Sequence, residues 1–97
     1  MPLDNYKPQP IDLSDVELPE SLRELSELLA RNVHEVWATS RIARGWTYGD
    51  HRDDTHRQTP CLVDYDSLSE EEKDYDRLTS QQTLKLILKL GYKISKD

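Results

Sequence analysis

Ninety-seven residues, 35% hydrophobic and 33% charged, are enough for one domain with a modest core, and the absence of Phe leaves Leu, Val, Ile, Trp and Tyr to fill it. A net charge of −6 argues against sequence-blind binding to a nucleic acid polymer or to an anionic membrane, since both need a basic face. No apolar run approaches the roughly 18 residues of a membrane span, residues 1–20 lack the basic start and apolar stretch of a signal peptide, and the single Cys61 has neither a disulfide partner nor zinc ligands around it. The expectation is a cytoplasmic chain held by packing, with no cofactor and no metal.

Residues 1–17 read as an extended N-terminal strap. Pro2, Pro8 and Pro10 oppose a helix, and Tyr6, Ile11 and Leu13 are available to pin the strap to a single domain expected over residues 18–94, with a tail at 95–97. The first helix is expected over Pro19–Arg44. Proline at the first helical position costs nothing, because its missing N–H would have no partner there. Leu22, Leu25, Leu29, Val33, Val36 and Ala43 fall within about 80° of one another on a helical wheel, which predicts a core stripe. Glu27 and Arg31, four apart, should pair on the outside, and Gly45 should stop the helix in a left-handed conformation. On one shoulder of the wheel Ala30, His34, Trp37 and Arg41 make a ledge, a flat apolar surface with a cation beside it. The structural alternative is that Trp37 closes the core edge and Arg41 stacks on it, worth about 0.5–2 kcal/mol.

Gly45-Trp46-Thr47-Tyr48-Gly49 is too short and glycine-bounded for a helix; a short strand or tight turn should press Trp46 into the core and leave Tyr48 near the surface. Asp50–Thr59 is wholly polar and reads as a surface loop, and its histidines and aspartates match the spacing of neither a calcium loop nor a zinc motif. Pro60–Tyr65 alternates well enough for a strand that could pair with Thr47-Tyr48. Ser69 with Glu72 predicts a capping box and a helix over Ser69–Leu90, either continuous or broken near Leu78, where Thr79–Gln82 offers a second cap. Leu84, Ile87, Leu88 and Leu90 should carry its buried face, facing the stripe of the first helix. Gly91 should cap it, and Tyr92 and Ile94 should fold back as a short strand or tail. Residues 20–44 and 67–97 each balance to zero charge, as two solvated helices would. The fold class is α+β, mainly helical: two main antiparallel helices with a small two- or three-stranded element.

Catalysis fits poorly. Cys61 follows a proline, with neither a helix N-terminus nor a glycine elbow to activate it, and phosphate-cradling loops are absent. The ledge suits binding instead. Trp37 could stack on the base of a nucleotide-like anion while Arg41 meets its phosphate. Trp46, Tyr48 or Arg57 could close the pocket, and His34 or the Thr59–Cys61 backbone could bond the base edge. The alternative is a protein–protein surface, including a homodimer, built on the same Trp37–Tyr48 residues.

From Tyr6 to Ile94 the chain resembles a ryanodine-receptor repeat domain, the module that occurs as tandem pairs in animal calcium-release channels and singly in short bacterial proteins. The resemblance is carried by Pro8-Gln9-Pro10, His34-Glu35-Val36-Trp37 with Arg41-Ile42, Gly45–Gly49, Pro60–Val63 with Tyr65, Leu68–Lys73, Asp76-Arg77, Thr83-Leu84 and Gly91-Tyr92, several blocks in the right order. It implies a compact fold of helices flanked by short strands and an interaction or small-ligand module, for which nucleotide binding is proposed. It does not imply channel activity, because the chain carries one repeat and no pore helices. A lone repeat of a paired family leaves self-association open.

Overall fold

A computed structural model of the chain describes residues 5–97; the first four residues of the expected strap, Pro2 among them, lie outside the described residues. Two helices dominate, α1 (Glu20–Ala43) and α2 (Glu70–Lys89), joined through a two-stranded sheet of β1 (Thr47–Tyr48) and β2 (Gln58–Thr59) and a 3-10 turn at Tyr65–Ser67. None of the helices among the described residues is long and apolar enough to cross a membrane.

Pro19 sits one position earlier than expected, as the extended N-cap of α1 rather than its first helical residue. Ser69 caps α2 by accepting from the Glu72 amide at 3.3 Å. The reciprocal half of the expected capping box does not form there, because the Glu72 carboxylate accepts from the Cys61 thiol instead. α2 runs unbroken past Leu78. The hydroxyls of Thr79 and Thr83 return to the carbonyls of Tyr75 and Thr79 in the preceding turn, so the residues that could have capped a second helix are satisfied inside the first.

The helices are antiparallel, as their pairings run in opposite order: Leu22 packs with Leu84, Glu27 binds Arg77 at 2.9 Å, and Arg31 binds Asp66 ahead of α2 at 2.7 Å. The expected Glu27–Arg31 pair is thus replaced by two partners across the interface. One apolar cluster joins Leu18, Leu22 and Leu84, with Leu25, Leu29, Leu88 and Ile94 against it. A second joins Ala30, Tyr65 and Leu68 with Cys61 and Val63.

The predicted stripe of α1 is right for its first half and wrong for its second. Leu22 is buried and Leu25 and Leu29 are half-buried, but Val33 and Val36 are 48% and 61% exposed and Ala43 is exposed. The buried row is Leu22, Ser26, Ala30 and His34. Each four-residue step turns about 40° around a helix of 3.6 residues per turn, so the row winds about the axis along an i±4 ridge, as helices that pack ridge into groove do. Small Ser26 and Ala30 let the neighbouring chain come close, and a wheel weighted by hydrophobicity cannot rank them above valine.

β1 pairs in parallel with β2 in the register Thr47↔Gln58 and Tyr48↔Thr59. This corrects the expected strand at Pro60–Tyr65, which is irregular chain ending in the 3-10 turn, and the reading of Asp50–Thr59 as wholly surface loop, since Thr59 is buried. The chain reverses within the loop through an Asp53↔Gln58 bridge, and Gly49 passes so close to Gln58 that a Cβ would stand 2.7 Å from the Gln58 Cβ. Of the residues expected to pin the strap only Leu13 is buried; Tyr6 and Ile11 are exposed. Leu90, expected inside, is exposed at the end of α2, and the tail forms no strand, although Ile94 packs on the first cluster.

Candidate functional site

The site grows from the way α1 ends. Gly45 adopts φ +87° and donates to the Ile42 carbonyl at 3.0 Å, while the Trp46 amide reaches back to the Arg41 carbonyl at 3.0 Å. These are the two bonds of a Schellman motif. They fold Trp46 back onto the last turn, where the Arg41 guanidinium lies 5.0 Å from its ring centroid. Arg41 also lies 5.6 Å from the Trp37 ring, Trp37 stacks on His34 at 5.6 Å with 24° between the planes, and Arg52 lies 5.8 Å from Trp46. Imidazole, indole and guanidinium thus form one continuous series, His34–Trp37–Arg41–Trp46–Arg52. Trp46 is half-buried under two cations rather than pressed into the core as expected.

His34 is buried, and its Nε2 lies 2.6 Å from the Val63 carbonyl. A carbonyl only accepts, so Nε2 carries the hydrogen. Beside the series opens a cleft of about 630 Å³, lined by Val33, His34, Trp37, Arg52, Thr59, Cys61 and Leu68, and across from them by Ser69, Glu71, Glu72, Tyr75 and Asp76. Burial pushes the Asp76 carboxyl above the usual carboxylate range; His34 opposes that shift and Glu72 adds to it.

Of the residues picked out from sequence, His34, Trp37, Thr59 and Cys61 line this cleft, and Arg41 and Trp46 stand next to it in the stacked series. Tyr48 and Arg57 do not line it. Tyr48 is exposed and its hydroxyl donates to Asp50 at 3.2 Å. Arg57, at φ +54°, donates from Nη1 to the carbonyl of Arg44. There it places a cation at the C-terminal end of α1, where the helix dipole favours one. Its work is to hold the loop to the helix. The far wall, Glu71, Glu72, Tyr75 and Asp76 on α2, was not picked out from sequence as part of a site. The one signal was that Leu68–Lys73 and Asp76 belong to the resemblance blocks. His56, by contrast, pairs with Asp53 in the exposed loop.

Cys61 donates its thiol to Glu72 Oε2 at 2.8 Å, and its amide donates to the Thr59 hydroxyl at 3.2 Å. Burial and the Glu72 carboxylate both push the thiol up, Thr59 and Arg52 acting weakly the other way. The thiolate is the reactive species, so raising its pKa lowers reactivity at any pH below it. Alkylation by iodoacetamide at neutral pH should therefore be slower in the native protein than in urea, and Glu72→Gln, which removes a negative charge beside the sulfur, should speed it. Rapid alkylation of the native protein at pH 6 would show the opposite environment.

Residues 6–96, nearly the whole chain, match the family model described as the RyR domain.

Proposed function

We propose that this chain, which belongs to the RyR domain family, is a non-catalytic binding module that takes a nucleotide-like small molecule in the cleft beside Trp37. The observation that carries the reading is the stacked series itself, which ends in a cleft large enough for a ligand. A base stacked on Trp37 would gain about 1–3 kcal/mol. Its phosphate would lie toward Arg41 or Arg52, where a charge-assisted bond is worth about 1.5–3 kcal/mol. Thr59 and Cys61 would close the inner end. After the entropic cost of association, affinity should be on the order of micromolar or weaker.

The test is a thermal-shift series with mono-, di- and cyclic nucleotides on the parent chain, Trp37→Ala and Arg41→Ala. A shift of a few degrees near saturation, lost in both folded variants, is the expected result. No shift at millimolar nucleotide, or an unchanged one in both variants, sinks the reading. The second reading, a protein interface, is favoured by Val36 and Ile42, which are exposed on α1. Sedimentation at several concentrations checks its simplest form, a homodimer.

A further inference from the structure

The cleft beside Trp37 holds a half-buried carboxylate and an imidazole acceptor that nothing in the fold satisfies among the described residues. His34 is only 5% exposed and uses its Nε2–H on the Val63 carbonyl. Its Nδ1, an acceptor in that tautomer, has no partner among the described residues. Asp76, half-buried on α2, has neither an ion-pair nor a hydrogen-bond partner among the described residues. Glu72 accepts the Cys61 thiol on Oε2, which leaves Oε1 available. Donors line it as well, in the hydroxyls of Thr59, Ser69 and Tyr75 and the indole N–H of Trp37. The one guanidinium lining the cleft among the described residues is Arg52, whose Nε is paired to Asp54 at 2.8 Å while its Nη groups stay available to a phosphate, and the Cys61 thiol is taken by Glu72. The ligand edge that meets Asp76 must therefore bring N–H groups to it, because an acceptor left facing that carboxylate in a partly dry site is costly.

From this arrangement we infer that the cleft selects a flat ring carrying adjacent N–H donors on one edge, guanine among the nucleobases, with Asp76 accepting from both. The inference rests on the stacking reading above. Guanine offers N1–H beside its 2-amino group, a pair that one carboxylate can accept. Hypoxanthine keeps N1–H and lacks the amino group. Adenine presents N1 as a lone pair, which would face the carboxylate and be repelled. Trp37 stacks any of the three, so the ring face sets whether a base binds and Asp76 sets which one.

Titration calorimetry of the full chain with GMP, IMP and AMP, repeated on Asp76→Asn and Trp37→Ala, tests this. The expected order is GMP, then IMP, then AMP, with GMP at least about tenfold tighter than AMP, as a bidentate pair to a base edge confers. Asp76→Asn replaces one acceptor oxygen with a donor and should bring the GMP-to-AMP ratio to within about threefold. If AMP binds the parent as tightly as GMP and Trp37→Ala abolishes both, the inference is overturned and the stacking reading stands. If the preference for GMP survives Asp76→Asn, Asp76 is not the selecting group. If none of the three binds at millimolar concentration, both readings fall. The ratio on the parent chain decides the matter even if a variant fails to fold.

Discussion

Replacing Leu84 with alanine should lower the stability of this domain by about 2–5 kcal/mol, the range for emptying a buried leucine site. Leu84 is 4% exposed and joins Leu18 and Leu22 in the first apolar cluster, where α2 meets the start of α1. No large side chain among the described residues is fully buried, so the core is thin and each leucine in it carries a large share. At roughly 0.05–0.15 kcal/mol per residue, a chain of 97 residues has about 5–15 kcal/mol in all, so the loss runs from about a seventh of the total to the whole of it. Val36→Ala provides the contrast. A hydrophobic wheel places Val36 beside Leu22 and Leu29, but at 61% exposure its truncation should cost less than about 0.5 kcal/mol. Urea midpoints at equal slope measure both. A Val36→Ala loss as large as that of Leu84→Ala would return the buried face of α1 to the straight stripe.

Tyr65→Ala should be as damaging, about 3–5 kcal/mol, while Tyr65→Phe should cost little or nothing. The ring is 3% exposed at the centre of the second cluster. It takes the edge of His34 at 6.2 Å, with the Arg31 guanidinium 4.8 Å and the Lys73 ammonium 5.9 Å from its centroid. Its hydroxyl is buried without a hydrogen-bond partner among the described residues, and burial pushes the phenol up. Deleting a buried oxygen that lacks a partner removes a desolvation cost rather than an interaction. The two substitutions therefore separate the ring from its polar tip. A Phe variant as unstable as the Ala variant would mean that the hydroxyl is bonded, with the Arg77 guanidinium, which acts on the phenol, the natural donor.

The elements most legible in the sequence were those with local chemistry. Ser69, Gly45 and Gly91 announce helix ends because capping depends on a residue and its neighbours within one turn, and both glycines sit at positive φ where expected. Leu22, Leu25 and Leu29 in the first half of α1 announced their burial because α2 covers them. Val33 and Val36 misled because the part of the chain that packs on the second half of α1 is the Val63–Leu68 segment, which reaches it through Ala30 and His34. No period within α1 encodes that. The pairing of β1 with Gln58-Thr59 was hidden for a similar reason: two polar residues make a strand there only because Arg57 anchors to the end of α1 and Gly49 allows close approach. The site divided along the same line. Its stacked series could be read within one helix and the turn after it, with Arg52 the exception. Its carboxylates come from α2, far away in the chain, where Asp76 looks like any other acid in a balanced run of charges.

The stacked series also decides what light this protein emits. Both tryptophans of the chain, Trp37 and Trp46, belong to that series, and neither belongs to an apolar cluster among the described residues. Intrinsic fluorescence therefore reports the C-terminal turns of α1 and the mouth of the cleft, while circular dichroism at helical wavelengths reports α1 and α2 as a whole. The two signals observe different parts of one molecule. Where they lose amplitude together the stack and the helices form a single cooperative unit, and where emission moves first the Schellman turn at Gly45 is the part that opens.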